Sequence, residues 1–214
     1  MNYQAVIFDL DGVICSTDRY HYLAWKALAD RLGIYFDQEI NNKLRGISRM
    51  ESLEIILGQN KAGNKYTVRE KEKFADEKNQ AYRKLLQNMS ENDLSAEVKE
   101  TLLELKNKGL LLAIGSSSKN AKFILRQLGL SDFFDAVSDG NQIRESKPEP
   151  EVFVKAADAL HIPYERCLVV EDALSGIEAA LAASMDCAAI GDARLYGKAT
   201  YELNTLSDLL QIVR

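Results

Sequence analysis

Two carboxylates placed two residues apart, Asp9 and Asp11, end the apolar run that starts at Ala5, and Gly12 follows them at once. An unpaired carboxylate buried at a strand end costs on the order of several kcal/mol, so cationic groups must meet these two. Three more polar groups recur behind apolar runs or ahead of helices: Gly115-Ser116-Ser117-Ser118-Lys119-Asn120, Ser146-Lys147-Pro148 and Glu171-Asp172. If Asp9, Asp11, Glu171 and Asp172 converge, they repel one another unless a divalent cation joins them, and an all-oxygen set selects magnesium over zinc. Ser116 and the backbone N–H groups beyond it form an anion seat, and Lys147 adds a fixed positive charge. A metal, an anion seat and a lysine suit a phosphoryl group. Asp9, at the rigid strand end, is then placed to attack phosphorus and form an aspartyl phosphate, with Asp11 as general acid and base.

The elements that must position these groups follow from periodicity. Ala5 onward, Leu110 to Ile114, Phe134 to Val137, Cys167 to Val170 and Cys187 to Ile190 read as five strands. From Ser95 they alternate with helices ended by Gly109 and Gly129, a helix starting near Pro150, and one over Leu174 to Ala183. Strands alternating with helices predict an α/β fold, a parallel sheet wound on both faces, with all strand carboxyl ends on one edge. Between the first and second strands the pattern is helical only. A helix from Thr17 to Leu32 is stopped by Gly33, and two capping boxes, Ser48 with Glu51 and Thr67 with Glu70, open helices to Leu57 and to about Met89. A helical cap at 15–90, inserted into a core of 1–14 and 91–214, accounts for this. On the first cap helix Thr17, His21 and Trp25 stack at i, i+4; taken alone, they read as half-buried helix residues and a core anchor. Lys78 interrupts the apolar stripe of Phe74, Ala81, Tyr82, Leu85 and Met89, which snorkelling would explain.

A formal charge of -5 over 214 residues excludes nucleic acid as the main partner. Cys15, Cys167 and Cys187 form no ligand pattern, and no role is assigned to them. No apolar run approaches the roughly 18 residues of a membrane span, and a strand beginning almost at the N-terminus leaves no room for a signal peptide. A soluble, cytoplasmic protein, monomeric and acting on a small molecule, is expected.

FDLDGVI, the GSSS segment, SKP and VVEDA, in this order and spacing, resemble the haloacid dehalogenase superfamily of phosphotransferases along the whole chain. TDRYHYLAWKAL, LRGISRMESL, the pair Lys78-Asn79 and SSSKN resemble its branch of sugar-phosphate mutases. That resemblance implies an isomerase interconverting β-D-glucose 1-phosphate and glucose 6-phosphate through a phosphorylated Asp9 and bound β-glucose 1,6-bisphosphate. It implies that His21 couples cap closure to Asp11, that Arg49 grips the far phosphate, and that Thr17, Trp25, Ser52 and Lys78 shape the cap side. Ser117, Ser118, Lys119 and Asn120 would meet substrate from the core. Three features depart from the family pattern: Cys15-Ser16 in place of a Thr-Asp pair, Ala173 where Ser is common, and the segment after Gly191. The rival reading is a phosphatase of small sugar phosphates, with water as acceptor; His21, Arg49 and Lys78 separate the two. A non-catalytic metabolite sensor is disfavoured, because no catalytic position has been lost.

Overall fold

Strand β1 (Ala5–Phe8) is buried along its whole length, which is why it is apolar without alternation: it lies between β2 (Leu111–Gly115) and β4 (Cys167–Glu171) and is covered on both faces. In this computed structural model, which describes residues 3–45, 47–59 and 65–213, Phe8 stands level with both Ile114 and Val170. With β3 (Ala136–Ser138), β5 (Asp186–Ala189) and β6 (Tyr201–Glu202), they form a six-stranded parallel sheet in the order β3-β2-β1-β4-β5-β6. Val6, Phe8, Leu112, Ile114 and Val170 face α5 (Ala96–Asn107), α6 (Ala121–Gln127) and α9 (Leu209–Ile212). Ala5, Ile7, Ala113 and Val169 face α7 (Glu151–Leu160) and α8 (Leu174–Ala182).

Five of the strands stand where apolar runs place them. β3 starts two residues later than Phe134, because Asp135 is held beside β2 by its own backbone and carboxylate bonds to Leu112, each 2.8 Å. The two-residue β6 and the short α9 carry too little pattern to be read from sequence.

Ahead of α5 the chain runs through α1 (Asp18–Leu32), α2 (Gln38–Asn42), α3 (Arg49–Gly58) and α4 (Val68–Leu86). Both expected capping boxes form: Ser48 Oγ accepts from the Glu51 N–H at 3.3 Å, and Glu51 accepts from the Ser48 N–H at 3.0 Å, with Thr67 and Glu70 paired likewise. Gly33 ends α1 at φ 67°, a left-handed conformation that side chains avoid. α2 is additional, capped by Asp37, and α4 ends at Leu86 rather than Met89. Trp25, Leu28, Phe36, Leu53, Ile56 and Phe74 make an apolar cluster of their own, whereas Tyr82 and Leu86 join the cluster on the sheet. Among the described residues no helix is long and apolar enough to cross a membrane.

Candidate active site

The carboxyl ends of β1, β2 and β4 bring the predicted core residues together. Asp9 follows β1, and its N–H donates to the Val170 carbonyl at 2.9 Å, which fixes the side chain's origin on the sheet. Lys147 is buried between Asp9 and Glu171, donating to Oδ1 of the first and Oε1 of the second at 2.5 Å each, with its ammonium 4.7 Å above the Phe153 ring. Burial alone would lower its pKa; Asp9 and Glu171 outweigh burial and hold it above the usual lysine value. The loop carrying Lys147 is tied down by Glu151, whose Oε2 accepts from the N–H groups of Arg144 and Glu145 at 2.7 and 3.0 Å.

Glu171, expected as a metal ligand, has both carboxylate oxygens engaged by protein. Lys147 takes Oε1, and the N–H groups of Asp172 and Ala173 donate to Oε2 at 3.0 Å. The carboxylate fills the space left by Gly176, where an added Cβ would lie 1.9 Å from Oε1. Asp172 packs in the same way on Gly12, at φ 95°, where a Cβ would come within 2.0 Å of Oδ2. Burial, then Glu171 and Asp9, pushes the Asp172 carboxyl up, and burial, then Asp9, pushes Asp11 up to about 6. Burial likewise pushes the Glu171 carboxyl up, against the pull of Lys147. One lysine among four carboxylates leaves a surplus of negative charge. Among the described residues no three His, Cys, Asp or Glu side chains are already gathered tightly enough to hold an ion. The surplus and the all-oxygen donors nevertheless fit a hard dication held by Asp9, Asp172 and the Asp11 backbone carbonyl, with Glu171 as counter-ion to Lys147.

At the end of β2 the serines fold into a turn. Ser116 Oγ accepts from the Ser118 N–H and Ser118 Oγ from the Asn120 N–H, each at 3.2 Å. Ser117 Oγ is buried with no partner among the described residues, which leaves it for a ligand. A Cβ on Gly140 would stand 2.3 Å from the Ser117 carbonyl, so the loop needs glycine there. Lys119 is exposed on the same turn, and Asn120 donates to Asn79 Oδ1 on α4 at 2.9 Å.

The helices supply the facing side. Thr17 Oγ1 donates to Asp11 Oδ1. Lys78 does not snorkel: it is buried, its Nζ 2.8 Å from His21 Nδ1 and 4.7 and 4.6 Å from the ring centres of Trp25 and Tyr82. With Lys78 donating, His21 carries its proton on Nε2, and its ring lies 4.1 Å from that of Tyr82. Burial, then Lys78 and Arg49, holds His21 well below its usual pKa, and burial, then Arg49, does the same to Lys78. Arg49 opens α3, its nearest carboxylate, Asp76, 4.0 Å away. Ser52 is not brought to the site as a donor; its hydroxyl bonds the Ser48 carbonyl one turn back, at 3.0 Å. Tyr82 and Asn79 belong to this side too. Tyr82 reads as one more apolar residue of its stripe, and only its place four residues from Lys78 pointed to it.

The family model of the haloacid dehalogenase-like hydrolases matches residues 3–184. Over 206 residues the chain is 40% identical to a beta-phosphoglucomutase of Bacillus subtilis, covering 96% of this chain and 91% of that one. It is 28% identical to a phosphorylated carbohydrates phosphatase of Thermotoga maritima, over 97% and 90% of the two chains. The crystal structure of a beta-phosphoglucomutase from Clostridium difficile superimposes with a TM-score of 0.91 at 36% identity, over 99% of this chain and 100% of that one.

Proposed function

The chain belongs to the haloacid dehalogenase-like hydrolase family, and we propose that it is a β-phosphoglucomutase in activity, an isomerase interconverting β-D-glucose 1-phosphate and glucose 6-phosphate. The observation that carries this reading is the second cationic side. Arg49 and the His21–Lys78 pair lie on α1, α3 and α4, and Thr17 at the head of α1 bonds Asp11 beside the Asp9–Lys147–Glu171 edge. Moving a phosphoryl group between the two ends of one sugar requires the non-reacting phosphate to be held as well, and a water-dependent phosphatase does not need that grip.

The helical segment 15–90 serves as the cap. With Asp9 phosphorylated, the 6-hydroxyl of β-glucose 1-phosphate attacks phosphorus while Asp11 takes its proton, and the bond from phosphorus to Asp9 breaks. The resulting β-glucose 1,6-bisphosphate turns end for end within the site. Asp9 then attacks the phosphoryl group on C1, Asp11 returns the proton to the leaving sugar oxygen, and glucose 6-phosphate departs. Lys147, Ser116 and the Ser117 hydroxyl bind the oxygens of the transferring group. Asp9, Asp172 and the Asp11 carbonyl would hold magnesium, which when bound would neutralise charge on the transferring group. Lys119 and Asn120 meet the sugar or its phosphate from the core, and Trp25 and Lys78 from the cap.

The test compares isomer formation with phosphate release. Incubated with β-glucose 1-phosphate, magnesium and a trace of the bisphosphate, the protein should form glucose 6-phosphate in excess over inorganic phosphate. Phosphate release as the main outcome would leave the phosphatase reading standing.

A further inference from the structure

α1 begins without a side-chain cap, because Thr17 gives its hydroxyl to Asp11, and its first residue, Asp18, is held from elsewhere. Arg45, between α2 and α3, donates from Nη2 to Asp18 Oδ2 at 3.2 Å and from Nη1 to Asp192 Oδ2 at 3.1 Å. Asn41 adds a bond to Asp18 Oδ1 at 2.9 Å. Asp192 lies in the six-residue 3-10 helix Gly191–Tyr196 just behind β5, within the segment that departs from the family pattern. One guanidinium thus ties the helical segment to the sheet. Asn79 and Asn120 make another tie, at the loop behind β2. In the sheet β2 and β5 flank β1 and β4, so the two ties stand on either side of the catalytic edge.

We propose that Arg45 and Asp192 are a positioning pair that holds the helical segment closed over this edge and, through Asp18, sets the first turn of α1 and hence the Thr17 hydroxyl on Asp11. The proposal rests on the mutase reading above, in which closure accompanies sugar binding. Asp192 is 74% and Arg45 38% exposed as side chains. Both can be solvated when the segment opens, so the pair is cheap to break, sensitive to salt and suited to a contact that is made and released each turnover.

The test uses Asp192→Asn, Arg45→Gln, the double variant and Asp192→Glu. Each single loss should lower mutase kcat/KM about two- to fivefold, mainly through KM, as expected for one exposed pair. The double variant should be no worse than the weaker single one, and Asp192→Glu should keep most of the activity. Raising salt should bring the wild type towards the variants, while phosphorylation of Asp9 by acetyl phosphate stays unchanged. A second readout does not depend on turnover: Val68→Cys and Leu103→Cys are exposed labelling sites, and the three native cysteines are buried. In the protein so labelled, Asp192→Asn should lengthen and broaden the distance between the labels. Additive losses in the double variant, or label distances unmoved by Asp192→Asn, overturn the pair. If the wild type only releases phosphate, the mutase reading fails, and the label distances still decide for or against the pair.

Discussion

Thr17 stands where a helix N-cap belongs, yet its hydroxyl donates to the carboxylate of Asp11 and leaves α1 uncapped. A Thr cap is worth about 1 kcal/mol to a helix, so local stability is given up to orient one carboxyl group. Because Thr17 opens the helix that carries His21 and Trp25, any movement of that helix also moves the group that holds Asp11.

Asp11→Ala should therefore retain slow phosphorylation of Asp9 by acetyl phosphate, whose leaving group needs no proton, and lose transfer to a sugar hydroxyl by about a hundredfold to ten-thousandfold. Thr17→Val should show the same selectivity with a smaller loss. Rapid-quench measurement of phosphoenzyme with each donor separates the two steps, and an equal loss with both donors would remove Asp11 from acid–base duty.

Lys78 is buried against Trp25, Tyr82 and His21 with no carboxylate bonded to it. The aromatic faces offset only part of the cost of burying its charge. Lys78→Met should thus raise the stability of the fold by about 1–2 kcal/mol while mutase activity falls. Urea unfolding followed through Trp25 reads this directly, and a lower midpoint in the variant would show that the cage fully compensates the ammonium.

The catalytic edge was legible because parallel strands announce themselves as unbroken apolar runs, and Asp9, Ser116 and Glu171 sit where those runs stop. The capping boxes of α3 and α4 were legible for a similar reason, being local in sequence. What stayed hidden depends on contacts between distant residues. Lys78 reads as a snorkelling residue until His21 and Trp25 are brought onto it from α1. Glu171 reads as a ligand, and nothing local shows that Lys147 and two backbone N–H groups also bond its oxygens. Arg45 carries no local signal at all, since its partner Asp192 lies far along the chain, in the 3-10 helix behind β5.

Glu151 ties down the loop that leads to Lys147 and carries a pH signature. The N–H groups of Glu145 and Arg144 hold its carboxyl down at about 2, against an ordinary value of 4.5. A depressed carboxyl stabilises the fold above its unfolded value, and that stabilisation is lost as pH falls through the folded one. The stability difference between wild type and Glu151→Gln should stay constant near neutral pH and shrink between pH 4.5 and about 2. Chemical denaturation over that range measures it, and a gap that widens on acidification would contradict the assignment.

Arg49 decides between mutase and phosphatase. Its side chain is 24% exposed, and its nearest carboxylate, Asp76, is itself 76% exposed and 4.0 Å away, so a partly desolvated guanidinium stands without a tight counter-ion. That state is costly unless an anion completes it, and a phosphate offers the fork geometry that a guanidinium matches. A mutase must also keep water from the aspartyl phosphate until a sugar hydroxyl is aligned, which couples the grip on the far phosphate to closure. Arg49→Ala should accordingly cost mutase turnover about a hundredfold or more, as loss of substrate positioning does. Hydrolysis of the phosphoenzyme by water should hardly change, because Asp9 and its partners are untouched. If the wild type releases phosphate from glucose 6-phosphate faster than it forms the isomer, and Arg49→Ala leaves that ratio as it was, the grip has no part in transfer and the protein is a phosphatase.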